Sequence, residues 1–230
     1  MKLLAPLAAC AAALFSTAAA EIVVLDFDDL DGGDVVRNQY RDDFGVRIRG
    51  RRIVGGDILR GADRAMIYDT GTLTGEDDDL VGPFTSEDGQ TTYDPGNILI
   101  VSEDGFGEDP DDSASGGRIV LTFDDAVTFL GFNAFDINDD EGITLRLFGM
   151  DGALLAVITN GMRTVPDNGY LAFEGLNVAG VTRAVFTLTS SGGIDDIMFD
   201  TAPVPVPGAL VLFGTAMAGG ALARRRRQSA

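Results

Sequence analysis

Four aspartates near the two ends of the sequence are the side chains best placed for binding chemistry. Asp26 and Asp28 follow an apolar run, and Asp195 and Asp196 interrupt another one far along the chain. If the first and last strands are neighbours, these carboxylates converge on one place, and Ca²⁺ takes about six to eight hard oxygens of this kind. The sequence therefore predicts a candidate calcium site, with Ca²⁺ as the implied cofactor. A solvated acidic face is the alternative, because aspartate is frequent along the whole chain.

Other acidic stretches fit ion-binding loops less well. Residues 136–147 approach the spacing of an EF-hand loop, but Gly142 stands at position 7 instead of 6 and Leu147 takes the place of the glutamate at position 12. This stretch is predicted to be a plain turn. Residues 77–79 and 109–112 are predicted to be solvated loop charge.

The residue types that are missing exclude most catalytic chemistry. The chain has no His, and its single Cys and single Lys, Cys10 and Lys2, lie near the N-terminus. The region that follows therefore has no Ser-His or Cys-His nucleophile, no imidazole zinc site and no lysine Schiff base. A pair of carboxylates, as used by many glycosidases, remains, but no pair stands out. We expect no enzymatic activity and predict no catalytic residue. Because the chain has no Trp, stacking of an aromatic ring against a sugar ring would depend on the tyrosines, which are Tyr40, Tyr68, Tyr93 and Tyr170.

The charge of the chain limits the classes of molecule that it is expected to bind. The formal net charge is −19, and all 36 acidic residues lie in the region that contains only 12 of the arginines, residues 21–207. Such a surface repels nucleic acid and anionic lipid, since it offers phosphate no counter-charge. Cations, basic proteins and neutral sugars are the expected partners.

The N-terminus has the pattern of a secretory signal peptide. Lys2 precedes an apolar stretch, and Ala18 and Ala20 supply small residues at the positions that signal peptidase requires. We predict that residues 1–20 are removed after Ala20. Cys10 lies in a lipobox-like pattern that offers an alternative cut, but that cut would leave an apolar stretch shorter than a working leader.

The C-terminus has three consecutive parts. Residues 202–207 alternate with proline and are predicted to be an extended linker. Residues 208–223 are apolar and are predicted to be a single transmembrane helix, with the membrane as its partner before processing. The cluster Arg224, Arg225, Arg226 and Arg227 opens the tail at 224–230, which the positive-inside rule places in the cytoplasm.

This tail resembles the sorting signal of VPLPA-CTERM proteins, a branch of the PEP-CTERM group. The motif reads Val204, Pro205, Val206, Pro207 and Gly208, where Val206 replaces Leu and Gly208 replaces Ala. The resemblance implies processing by an exosortase, export to the cell surface or exterior, and association with exopolysaccharide and biofilm matrix. A buried core helix is the alternative to a membrane span, but four consecutive arginines argue against it.

Between the two ends, residues 21–201 show short alternating runs separated by Gly, Asp and Asn turns. The strands predicted from these runs include residues 117–123, residues 126–135 and a closing strand at residues 194–199. One such run at residues 143–147 is followed by Asp151-Gly152 and a second run, which predicts a hairpin with a primed turn. We predict an all-β ectodomain, a two-sheet antiparallel sandwich of the jelly-roll or lectin-like type. Its first and last segments resemble those of carbohydrate-binding jelly-rolls, in which the terminal strands lie side by side and often share a calcium ion.

Three functions remain open at this stage. The first is a structural surface or matrix protein, the second is a lectin-like module that binds exopolysaccharide, and the third is a carboxylate-only glycoside hydrolase or lyase.

Overall fold

The computed structural model describes residues 21–201, apart from residues 62, 76, 106, 139, 140, 162, 164, 166 and 167. Strands dominate because β-branched and aromatic residues alternate with polar ones over short runs. The strands are β1 (Glu21–Leu25), β2 (Val46–Val54), β3 (Asp57–Ile58), β4 (Ala65–Asp69), β5 (Phe84–Ser86), β6 (Thr92–Tyr93), β7 (Asn97–Val101), β8 (Gly117–Phe135), β9 (Ile143–Phe148), β10 (Leu154–Thr159), β11 (Gly169–Phe173), β12 (Val178–Leu188) and β13 (Gly193–Thr201). The helical segments of this region are α1 (Arg41–Phe44) and two 3₁₀ turns, Asp78–Leu80 and Met150–Gly152. The prediction of an all-β domain is confirmed.

The long strand β8 organises both layers of the fold. Its first part, residues 117–123, pairs with β2 on one side and β12 on the other, and β9 and β10 continue beyond β12. Its second part, residues 127–135, pairs with β13 and β11. Strands β1 and β7 pair with β13, and β4 pairs with β7. We call the two layers the β2 sheet and the β13 sheet.

Two details of this topology differ from the expectation. The sequence indicated separate strands at residues 117–123 and 126–135, but these form one strand of 19 residues. The hydrogen-bonded ladder is therefore continuous through both layers. The pairing is antiparallel except between β5 and β11, which run parallel.

Aromatic side chains join the two layers into a β-sandwich. Phe186 of the β2 sheet meets Phe132 of the β13 sheet edge to face, with ring centroids 4.9 Å apart. Phe123 and Phe199 make a similar contact at 5.1 Å. These rings belong to one continuous apolar cluster. Burying a phenylalanine contributes about 1.5–3 kcal/mol, so such contacts hold the layers together.

The predicted hairpin is present between β9 and β10. Asp151 and Gly152 both have positive φ, at 59° and 74°, and the Ala153 N–H donates to the Met150 carbonyl. This is the geometry of a type I′ turn, which aspartate and glycine tolerate well.

The predictions for the two ends fall outside the described residues. These are the leader 1–20 with Ala18 and Ala20, the linker and sorting motif at 202–208, the span 208–223 and the arginines at 224–227. Among the residues that the structure does describe, no helix has the length and apolar character needed to cross a bilayer.

Candidate cation site at the ends of the terminal strands

The first and last strands of the domain are direct neighbours. β1 and β13 pair antiparallel from Glu21 opposite Thr201 to Leu25 opposite Ile197. The residues that follow Leu25 therefore lie beside those that precede Ile197. This register brings the predicted aspartates of both strands to one place.

The backbone changes direction and partner at this place. β13 pairs with β1 up to Ile197, but residues 193–194 pair with β7 instead. The register against β8 shifts between Asp195 and Met198, and Asp196 has a φ of +48°. Such a bulge leaves one residue outside the ladder and re-aims the side chains beside it. We call the region between the end of β1, the start of β7 and this bulge the terminal junction.

Asp195 is the most unusual side chain of the terminal junction. It is 0% exposed, and neither of its carboxyl oxygens has a hydrogen-bond partner. The pKa of Asp195 is raised to about 9, chiefly by burial and then by the charges of Asp196, Asp28 and Asp26, while the nearby Asp196 N–H partly offsets the rise. A buried carboxylate is costly unless a cation or hydrogen-bond donors compensate its charge. The side chain is therefore either protonated or neutralised by a cation.

Asp196 is held by two neutral donors. Its Oδ2 accepts hydrogen bonds from the Tyr93 hydroxyl at 2.7 Å and from the Asn133 amide at 2.8 Å. Burial raises the pKa of Tyr93, and its hydrogen bond to Asp196 adds to the rise. The phenol therefore stays a donor that orients the carboxylate.

Hydrogen bonds connect the loop after β1 to the start of β7. The Asn97 N–H donates to Asp28 Oδ1 at 3.1 Å, and the Asn97 amide donates to the Phe27 and Leu30 carbonyls at 3.1 and 2.8 Å. Gly96 must be glycine here, because its φ is +73° and a Cβ atom would lie 2.5 Å from Asp28 Oδ1. These bonds fix the Asp28 carboxylate beside the bulge.

Several residues of the terminal junction were not predicted from the sequence. Tyr93, Asn97 and Asn133 lie about 60 to 100 positions from the aspartates that they contact. Asp29 also belongs to this region, where its Oδ1 accepts the Tyr40 hydroxyl at 2.5 Å. No local spacing pattern connects positions so far apart, so the fold was needed to find them.

The four predicted aspartates share the junction, but their oxygens are not closely clustered. Among the described residues, the carboxylates whose oxygens all lie within 4.8 Å of one another are Asp77, Asp111 and Asp112. A cation at the terminal junction would therefore draw on amide or backbone oxygens besides the carboxylates, as calcium sites commonly do.

The second acidic cluster corrects the expectation of solvated loop charge. Asp112 is 4% exposed, and its Oδ2 accepts hydrogen bonds from the Ser191 hydroxyl and the Gly192 N–H. The Asp112 N–H donates to Asp77 Oδ2 at 3.0 Å. Burial raises the pKa of Asp77 to about 7 and that of Asp112 to about 6. These carboxylates tie two long loops together.

An open groove of about 520 Å³ lies beside the parallel strands β5 and β11. Tyr170 lines it, and the Arg163 guanidinium there bonds to Glu87 at 2.9 Å. Tyr93 packs against Tyr170 with centroids 5.5 Å apart, and both are partly buried. Tyr40 and Tyr68 are core residues instead, at 6% and 0% exposed.

Comparison with known proteins adds little to this picture. No protein-family model matches the chain, and no curated protein matches it. A DUF4465 family protein from Bacteroides caccae is similar in structure, with 10% identity over 78% of this chain and 98% of that chain, at a TM-score of 0.40. A family 29 carbohydrate-binding module from Piromyces equi has 11% identity over 68% of this chain and 91% of that one, at a TM-score of 0.27. Similarity this low carries no inference about binding or activity.

Proposed function

We propose that this protein is exported and has a structural, non-catalytic role at the cell surface or in the exopolysaccharide matrix, with a β-sandwich that Ca²⁺ stabilises. Asp195 carries the calcium part of this proposal: its carboxyl is completely buried, has no hydrogen-bond partner and lies beside other aspartates. A divalent cation would neutralise this charge and give the carboxyl oxygens a ligand.

In this proposal, Ca²⁺ stabilises the fold and takes no part in a reaction. The terminal junction joins three strands that are far apart in sequence, β1, β7 and β13. An ion that binds the folded junction and not the unfolded chain stabilises the fold by mass action. In a chain without cysteine after residue 10, calcium would supply a cross-link that a disulfide supplies in many exported domains.

The export part of the proposal is supported by the signal peptide pattern, the apolar C-terminal segment and the arginine cluster. Processing by signal peptidase and an exosortase is expected from these features. The mass of the protein recovered from the cell exterior tests this expectation. A species that begins at Glu21 and ends near Pro207 is expected, whereas an intact chain found inside the cell would contradict it.

A lectin-like role is the second candidate, and the Tyr170 groove favours it. Hydroxyl, carboxylate and guanidinium groups surround an aromatic ring there, the combination that sugar sites use for hydrogen bonding and stacking. Tyr170→Ala should abolish retention on a glycan array if the groove binds sugar, while Met150→Ala, which truncates an exposed side chain outside the groove, serves as the control. Unchanged retention by Tyr170→Ala would remove the groove from consideration.

Glycoside hydrolysis remains the third candidate, with the least support. A general acid needs a raised pKa and access to substrate. Asp195 has the raised pKa but is completely buried. In the groove, the hydrogen bond from the Ser86 hydroxyl lowers the pKa of Asp88. Release of reducing sugar from exopolysaccharide, lost on changing Glu87 or Asp88, would be needed to support catalysis.

A further inference from the structure

The outward side of the β2 sheet has an unusual composition for so acidic a protein. Side chains on β2, β8, β12, β9 and β10 alternate between the core and this outer side. Six of the 12 arginines between residues 21 and 207 lie on the outer side of these strands, and the positions between them hold valine, threonine and phenylalanine. We call this surface the arginine face, and its residues are Arg47, Arg49, Arg51, Arg118, Val120, Thr122, Thr144, Arg146, Phe148, Val157, Thr159, Arg183, Val185 and Thr187.

The arginine face contains no acidic residue, although the chain has more than twice as many acidic as basic residues. Acids lie at its margin, where Asp124 pairs with Arg47 at 2.6 Å and Asp63 pairs with Arg49 at 3.3 Å. These pairs partly neutralise the β2 edge of the face. The positive charge that remains is concentrated on the central strands.

Three arginines on consecutive strands carry that charge. Arg118 lies on β8, Arg183 on β12 and Arg146 on β9, and these strands are neighbours in the sheet. Within the part of the chain that the structure describes, none of the three forms an ion pair with a carboxylate. Arg118 Nε is buried without a hydrogen-bond partner. Arg146 and Arg183 are exposed to solvent.

The three guanidinium groups surround a shallow groove of about 250 Å³ with an apolar floor. Val120, Val185 and Phe148 form that floor. The Arg183 guanidinium lies over the Phe148 ring, 4.4 Å from its centroid, which holds it in place. An arginine that is fixed in this way loses less side-chain entropy when it binds a planar anion.

We infer that the arginine face binds an acidic polysaccharide, a chain of sugars that carries carboxylate groups. Guanidinium groups bind carboxylates through paired hydrogen bonds, and the apolar floor suits the less polar faces of sugar rings. In the register of these strands, Arg118 lies opposite Thr187 and Arg146 lies opposite Val185, four and two residues along β12 from Arg183. The three arginines therefore form a triangle with sides of roughly 8–14 Å, from which their long side chains can reach carboxylates on different sugars of one polymer. The inference rests on the proposed matrix role and names the class of ligand and the surface that would serve it.

Charge explains why such a polymer fits better than nucleic acid. Duplex DNA carries one charge per about 1.7 Å, and so thick a rod would bring phosphates close to the acids at the margin of the face. A polyuronate has a lower charge density, with one carboxylate on each sugar. The Debye length at physiological salt is about 8 Å, so the arginine face acts on a bound sugar largely without the distant acids.

The test is the affinity of the purified protein for polygalacturonate, measured by calorimetry in a buffer that contains a chelator. The chelator prevents Ca²⁺ from bridging the polymer to the acidic loops. Wild type should bind polygalacturonate, bind neutral dextran much more weakly, and lose affinity as salt is added. Arg146→Gln/Arg183→Gln should weaken binding at least about tenfold, since each guanidinium–carboxylate contact is worth roughly that factor.

The matched control is Arg37→Gln/Arg60→Gln, which removes the same charge from outside the arginine face and should change the affinity less than about twofold. Equal weakening in both double variants would overturn the inference, because net charge would then explain the binding. No binding of polygalacturonate by wild type would also overturn it, as would tighter binding of duplex DNA or of a second copy of the chain by the same face. Circular dichroism melts confirm that each variant is folded.

The outcomes separate this inference from the proposed function. If the protein is processed and recovered outside the cell but the arginine variants bind polymer normally, the matrix role stands and the assignment of the face fails. If the protein stays unprocessed inside the cell, the matrix role fails whatever the affinity for polygalacturonate.

Discussion

Replacing Asp195 by asparagine should change how the stability of the ion-free protein depends on pH. The Asp195 carboxyl has an ordinary pKa of 3.8 in the unfolded chain, and burial raises it to about 9 in the folded protein. Between these values the folded state holds a proton that the unfolded state has lost. The free energy of unfolding therefore falls as the pH rises, by roughly 1.4 kcal/mol per pH unit from this one group.

The amide that replaces the carboxyl in Asp195→Asn stays neutral at every pH, so this contribution disappears. At pH 7 the wild-type penalty that the substitution removes is about 4 kcal/mol. The amide has one more unsatisfied N–H than the protonated acid, which costs about 1–3 kcal/mol at all pH values. The difference in slope between the two proteins is therefore a cleaner readout than the difference at one pH.

The assay is urea denaturation of wild type and Asp195→Asn between pH 5 and 8, with a chelator present throughout. The stability of wild type should fall relative to the variant by about 4 kcal/mol over this pH range. Asp57→Asn, on the exposed strand β3, is the matched control and should follow wild type. Parallel pH profiles for wild type and Asp195→Asn would show that Asp195 is not held as an isolated buried acid.

Three further substitutions test the packing of the fold by urea denaturation. Phe186→Ala removes the ring that touches Phe132 across the layers and should cost about 3–5 kcal/mol, whereas a loss under about 1 kcal/mol would argue against that contact. Gly50→Ala drives a Cβ atom into the Ala65 backbone nitrogen and should cost about 1–3 kcal/mol or more, and an unchanged midpoint would contradict this close approach. Asp112→Ala leaves the Gly192 N–H without its acceptor and should cost about 1–3 kcal/mol, while a solvated Asp112 would leave stability unchanged.

Sequence reasoning was most successful where the signal is local. Alternation over residues 143–147 indicated a strand, and Asp151-Gly152 indicated the turn after it, because a type I′ turn needs residues that tolerate positive φ. A closing strand was also expected at residues 194–199, and β13 extends from Gly193 to Thr201. These features depend on neighbours within a few positions.

The parts that depend on distant contacts could not be predicted from the sequence. Asp124 and Asp125 break the alternation of β8 and suggested two strands, but the chain stays extended because β12 pairs with residues on both sides of this break. β2 pairs with the first half alone and β13 with the second. Asp112 was expected in solvent, yet the Gly192 N–H and the Ser191 hydroxyl, about 80 positions away, hold it inside. The arginine face was not predicted for the same reason, because its residues come from strands that lie far apart along the chain.

Isothermal titration of the purified, chelator-treated protein with Ca²⁺ tests the central proposal most directly. We expect saturable binding at the terminal junction in wild type, with a rise in melting temperature, and loss of that site in Asp195→Asn while Asp112→Asn retains it. Absence of binding in wild type, or equal binding by wild type and Asp195→Asn, would contradict a calcium site at the junction of β1, β7 and β13.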